Sequence, residues 1–301
     1  PGERPRYGVC GSGWHGLHMK DFALISMAAY MTPTPRTDVP GLLQRLLPGT
    51  NATLARTGSG HRKWLELEVE SCAAASHVAG GCRRVRVIAV SGTDPTKVQD
   101  ILENIRMWTE PVMMEILSVT FPIVRAWHRD ATEMVIGGIH RIIRWLALQD
   151  DRWQYEEILE RVREIPSDED VVLTGHSLGG GIALVVGALS GRHAVAIQPP
   201  GLYHAWAKHQ EHHGASGPVR ELHQSSVSLV VESDFVSNFD RHGGLVQTIT
   251  CDRPQAGAAL GCHALEGTIC HLLRHCGDED GHFASCTHDV PPREGRAEEG
   301  R

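Results

Sequence analysis

Residues Gly175-His176-Ser177-Leu178-Gly179 place one hydroxyl among side chains that are small or absent at two of the four flanking positions. A serine hydroxyl is a weak nucleophile at its ordinary pKa. It needs a base beside it, and the base needs a group to orient it. The pattern G-x-S-x-G meets the first structural condition when it lies between a buried strand and a helix. Here the apolar "VVLT" of 171–174 precedes it and an apolar run follows from Gly180 to Leu189. Gly175 and Gly179 leave room in a tight turn where side chains would strike neighbouring strands. The N–H of Leu178, at the start of the helix, can donate to a developing oxyanion. No lysine follows in the glycine run, which argues against a phosphate-binding loop.

The remaining machinery is sought downstream, in the order Ser, Asp, His. Asp234 ends the strand-like "SVSLVVES" of 226–233, and strand ends on the carboxyl side are where such sheets place their sites. Asp240 is the fallback. The candidates for the base lie further downstream: His263, His271, His275, His282 and His288. His282 comes after "GDEDG", a loop able to reach back over the strand ends, and is the expected base. His271, in a helical segment beside Cys270, is the alternative. A second oxyanion donor is expected from Thr93, after "VIAVSG" in 87–92, where Gly92 permits a close turn. The expected set is therefore Ser177, Asp234 and His282, with Thr93 and Leu178 as oxyanion donors. It requires no metal and no organic cofactor.

Positioning these groups demands regular elements. Segment 21–31 reads as a helix burying Phe22, Ile25 and Met27. Pro33, Pro35, Pro40 and Pro48 then break the chain into turns. "WLELEV" of 64–69 alternates as a half-buried strand should. "CRRVRVIAV" of 82–90 becomes wholly apolar, as for a strand entering the middle of a sheet. Segment 98–107 reads as a helix, 110–145 is helical in character, and 155–165 is an amphipathic helix with Ile158, Leu159, Val162 and Ile165 on one face. Strands follow at 194–198 and 226–233. Segment 204–220 reads as an exposed loop or short helix. Apolar strands alternating with helices specify an α/β fold with a mostly parallel sheet. Residues 1–60 form an N-terminal extension, 61–290 the main domain, and 291–301 a charged tail expected to be disordered.

The 301 residues, 41% of them hydrophobic, suffice for a large core. A formal net charge of −7 argues against nucleic acid as partner. No run of eighteen uncharged apolar residues predicts a membrane span. Eight cysteines without a C-x-x-C pair favour disulfides over zinc, and hence a secreted protein or a secretory-pathway lumen. Cys72–Cys82 is one pairing the spacing permits. Asn51-Ala52-Thr53 fits a glycosylation sequon.

With Ser91-Gly92-Thr93, "QDILENI" of 99–105, the stretch Gly175 to Gly180 and the strand ending at Asp234, the chain resembles the fungal-type (class 3) triacylglycerol lipases of the α/β-hydrolase superfamily. Over 60–290 that resemblance implies an α/β-hydrolase fold with helices on both sheet faces. It also implies esterase action on acylglycerols or phospholipids, and a lid after Thr93. Gly261-Cys262-His263-Ala264-Leu265-Glu266 and Cys270-His271 are similar to a subgroup of secretory-pathway and vacuolar phospholipases. In that subgroup the Cys-His pair precedes the catalytic histidine, which favours His282. The sequence departs from the family around the acid, where Asp234-Phe235-Val236-Ser237 stands, and at Val90-Ser91 before the oxyanion turn. The apolar run from Met107 to Leu117 is read first as packed core helices and second as a lid or interface-binding helix. The expected partner is a lipid ester, with peripheral contact at a membrane or lipid interface. A silent hydrolase-fold binding protein and a serine peptidase are the alternatives.

Overall fold

The computed structural model describes residues 7–11, 13–31, 39–47, 50–59, 62–71, 83–92, 153–213, 220–234, 236–238, 240–251, 261–277 and 286. The expected helix at 98–107, the apolar region 107–127 read first as packed core helices and second as a lid, and the tail 291–301 lie outside them.

Seven strands form one sheet in chain order: β3 (Asn51–Gly58), β4 (Trp64–Ser71), β5 (Arg83–Val90), β6 (Val171–His176), β7 (His193–Ile197), β8 (Ser226–Val231) and β9 (Leu245–Ile249). A small hairpin, β1 (Gly13–Trp14) and β2 (Leu17–His18), precedes them. The pairs β3/β4 and β4/β5 are antiparallel, and every pair from β5 to β9 is parallel. Among the described residues the helices are α1 (Met19–Tyr30), α2 (Val39–Leu46), α3 (Glu156–Glu164), α4 (Leu178–Ser190), α5 (Trp206–His213), α6 (Arg220–Ser225) and α7 (Leu265–Cys276).

The helices cover both faces, so the parallel strands are buried on both sides. Alternate residues of one strand accordingly enter different cores. Val85, Val87 and Ala89 join one cluster with α1, α2 and α7. Ile88 and Val90 join the other, with α3, α4 and α5. This is an α/β-hydrolase fold: a mixed, mostly parallel sheet between two helical layers.

Two local readings change. Strand β4 is not half-buried. Glu66 has no exposed surface, because α3 covers the polar side of the strand. Arg161 donates from Nε and Nη2, at 2.7 and 2.8 Å, and Arg86 donates from Nη1 at 2.7 Å. Burial alone would raise the Glu66 pKa, but these two guanidinium groups hold it below the ordinary carboxylate value. The segment at 204–220 includes α5, in which Trp206 and His209 are buried rather than exposed.

The first sixty residues also join the sheet. Asp21 accepts the His18 N–H at 2.7 Å and so caps α1. Ser26 then hydrogen-bonds Thr174 at 3.1 Å, which lays α1 across β6. Strand β3 supplies the antiparallel edge, largely exposed and bulged between Leu54 and Arg56. The six described cysteines form three disulfides: Cys10–Cys276, Cys251–Cys262 and Cys270–Cys286. Cys72 and Cys82 lie outside the described residues.

Candidate active site

Ser177 sits between β6 and α4 with φ 58° and ψ −131°. A non-glycine residue rarely adopts a positive φ, and the strain persists only where the surroundings enforce it. The enforcing contacts are visible. A Cβ at Gly175 would lie 2.5 Å from backbone atoms of Gly179, and one at Gly179 would lie 2.2 Å from the Val90 carbonyl oxygen. Strand, turn and helix therefore close on one another only because both positions lack side chains. Leu178 is the first residue of α4, where an N–H has no acceptor inside the helix.

Three side chains from three loops meet at this turn. Ser177 Oγ lies 2.9 Å from His263 Nε2, and His263 Nδ1 lies 3.0 Å from Asp234 Oδ2. Ser177 follows the central strand β6, Asp234 follows β8, and His263 lies just before α7. All three stand beyond the carboxyl ends of the parallel strands. Asp234 is completely buried. Its carboxylate also accepts the Ser237 hydroxyl at 2.7 Å, the Gln198 amide at 3.1 Å and the Val236 N–H at 3.0 Å. Burial pushes the Asp234 pKa up. The hydrogen bond and charge of His263, with the Ser237 and Val236 donors, outweigh that and hold it below the ordinary carboxylate value. A buried anion is thus stabilised beside an imidazole. That arrangement fixes the imidazole tautomer and can stabilise the imidazolium formed when a hydroxyl loses its proton to Nε2.

The family model for Lipase (class 3) matches residues 87–197, a span that runs from β5 through Ser177 to the end of β7. Over residues 87–197 the chain is similar to the class 3 lipases. That match supports membership of the hydrolase superfamily. Two solved structures are similar to the chain. One is the native Rhizomucor miehei lipase propeptide complex, at 14% identity, covering 88% of this chain and 86% of that one with a TM-score of 0.35. The other is a deletion mutant of the same complex, at 15% identity, covering 88% and 89% with a TM-score of 0.36. No curated protein matches the chain significantly.

The expected residues fare differently. Ser177 and Asp234 are brought together through one imidazole, which belongs to His263. His282, the base expected from sequence, lies outside the described residues. His271, the alternative, does not fit the role: it is buried on α7, with Nε2 2.9 Å from the Tyr7 hydroxyl. It joins the N-terminal segment to α7 instead. Asp240 accepts the backbone N–H groups of His204 and Ala205, at 2.9 and 2.8 Å, and so braces the approach to α5. Thr93 lies outside the described residues, but its neighbour Gly92 packs on the serine turn. A Cβ there would come within 3.1 Å of Ser177 Cβ and 2.6 Å of the His176 carbonyl oxygen.

Gln198, the Cys251–Cys262 disulfide and His176 also position the site, and these roles were not legible in the sequence. Gln198, at φ 49°, donates to both Asp234 and the Cys262 carbonyl oxygen, the latter at 2.6 Å, and Thr268 donates to its Oε1 at 2.7 Å. The disulfide Cys251–Cys262 fixes the residue immediately before His263. His176 is held between the Tyr30 hydroxyl, 2.8 Å from Nδ1, and the His263 carbonyl oxygen, 3.0 Å from Nε2. To satisfy both, neutral His176 donates from Nε2 and accepts at Nδ1. His263 directly follows Cys262, whose disulfide partner lies eleven residues upstream, a pairing that the spacing of the cysteines does not reveal.

Burial, then the neighbouring His263, depresses the His176 pKa from 6.5 to about 3. Between those values the unfolded chain binds a proton that the folded chain does not. Stability therefore rises with pH across that window and is lost as pH falls below 6.5. The slope is roughly 1.4 kcal/mol per pH unit, or about 2 kcal/mol between pH 6.5 and pH 5. Urea unfolding of wild type and His176→Gln at several pH values should give profiles that diverge by this amount, with the glutamine variant flatter. Parallel profiles would mean that His176 is not held neutral.

Proposed function

We propose that the chain is a serine hydrolase that cleaves carboxylic esters of lipids through an acyl-enzyme. The observation that carries this reading is the chain of contacts from Ser177 Oγ through His263 to the buried Asp234 carboxylate. His263 Nε2 takes the Ser177 proton while Oγ forms a bond to the ester carbonyl carbon. The carbonyl oxygen becomes an oxyanion, received by the N–H of Leu178 and by a second donor, for which the sequence offers Thr93. The carbon–oxygen bond to the alcohol then breaks, and His263 returns its proton to the departing alkoxide. Water, deprotonated by the same imidazole, attacks the acyl carbon and releases the acid and Ser177. Asp234 keeps Nδ1 protonated throughout and stabilises each imidazolium. Each well-placed oxyanion donor contributes about 3 kcal/mol to the transition state.

The class 3 lipase match over residues 87–197 supports a lipid ester, such as triacylglycerol, diacylglycerol or phospholipid, ahead of a peptide. Three disulfides among the described residues support an oxidising compartment, the secretory lumen or the exterior. Among the described residues no helix is long and apolar enough to cross a membrane, so contact with lipid is proposed as peripheral.

A fluorophosphonate probe tests the nucleophile, and p-nitrophenyl esters of increasing acyl length, compared with peptide substrates, test the class. Labelling confined to Ser177, with esters hydrolysed faster than peptides, is the expected result. Folded protein that takes no label would leave a hydrolase-fold binding protein as the reading. Faster peptide cleavage would leave a peptidase.

A further inference from the structure

Away from the serine site, α5 carries a second cluster of groups with ligand chemistry. Glu156, His212 and His213 each bring one ligand atom within 4.8 Å of the others. Glu156 is the first residue of α3, and the two histidines end α5. Glu156 Oε1 and His212 Nε2 are 2.9 Å apart. The rings of His212 and His213 stand at 89° with centroids 4.8 Å apart. We propose that these three residues bind one divalent transition-metal ion of the zinc type and thereby clip α3 to α5.

The donor set is of the right chemistry. Two imidazole nitrogens and one carboxylate oxygen suit zinc, with bonds of about 2.0–2.2 Å and a fourth position left for water. Tetrahedral bonds of that length set donors roughly 3.3 Å apart. Glu156 and His212 already stand within that distance, so small rotations that bring in His213 complete the set. All three residues are half-buried, shielded enough to limit competition from solvent yet open to an entering ion. Their orientation is supported from behind, as ligating groups require. Trp153, itself buried, packs edge-on to His212 with centroids 5.9 Å apart. The Tyr155 hydroxyl lies 3.3 Å from His213 Nε2. The cluster shares no residue with Ser177, His263 and Asp234, so its role is structural.

Calorimetric titration of the full chain with zinc chloride tests this. Wild type should bind one equivalent saturably and melt at a higher temperature when loaded. The double variant His212→Gln/His213→Gln should lose that site and the rise in Tm. Glu156→Gln should weaken binding at least about tenfold, in keeping with loss of a charged ligand. His193→Gln, on the exposed start of β7, should change neither. If the double variant fails to fold, His213→Ala alone, with circular dichroism to verify its fold, takes its place. Absence of saturable binding in wild type, or undiminished binding in the folded histidine variants, would overturn the proposal.

Discussion

His263→Ala should abolish ester hydrolysis, lowering kcat by a factor on the order of 10⁵–10⁶, while His282→Ala keeps the wild-type rate. The magnitude follows from the unit formed by hydroxyl and base. Without an acceptor 2.9 Å from Oγ, Ser177 has no route for its proton, and the leaving alcohol has no donor. What survives is the contribution of the oxyanion donors and of binding. His271→Ala serves as the contrasting case. It removes a buried hydrogen bond to Tyr7 and should cost about 1–3 kcal/mol of stability, yet leave kcat of the folded enzyme unchanged. Steady-state kinetics on p-nitrophenyl esters, together with urea unfolding, separates the three variants. A fully active His263→Ala, or a silent His282→Ala, would return the base to the C-terminal segment.

Asp234→Asn should reduce kcat by about 10⁴, with little change in KM. Four groups donate to this carboxylate, and asparagine keeps its shape. The loss therefore reports charge and tautomer rather than collapse of the site. The Ser237 hydroxyl, the Gln198 amide and His263 Nδ1 all meet Oδ2 while the Val236 N–H meets Oδ1, so whichever way the neutral amide is turned at least one donor faces an N–H group. The imidazolium formed during attack also loses the anion that stabilises it. A factor of 10⁴ corresponds to about 5.5 kcal/mol of transition-state stabilisation. Burst kinetics should place the loss in acylation and deacylation alike, since His263 acts in both. A loss below about tenfold would mean that another group orients the imidazole.

Ser177 and Asp234 were legible because their signals are local. An apolar strand, a glycine-framed serine and an apolar helix are contiguous, and Asp234 lies just beyond the valine-rich strand β8. His263 carries no such signal. Its segment is short and irregular, and four other histidines follow it. What selects it is long-range: the disulfide from Cys251 to Cys262, the Gln198 bridge, and the His176 side chain on its own carbonyl oxygen. None of these is written in spacing. The sheet shows the same division. Strands β5 to β8 are apolar and announce themselves. Edge strand β3, "NATLARTG", is polar because most of it faces water, and the prolines before it suggested turns. Glu66 misled in the opposite sense, because a charge alternating with leucines reads as solvent-facing until Arg86 and Arg161 are brought onto it.

The Cys10–Cys276 bond joins points 266 residues apart and makes most of the polypeptide a covalent loop. A protease that cuts this loop once converts a ring into a line without separating any part of it. Ser177, Asp234 and His263 all lie inside the ring, so a single nick between Cys10 and Cys276 leaves them tethered whatever its position. Nicked protein should migrate as one species on a non-reducing gel and fall into two fragments only after a thiol is added. Damage that would dismember an open chain is, for this one, survivable for as long as the surroundings stay oxidising.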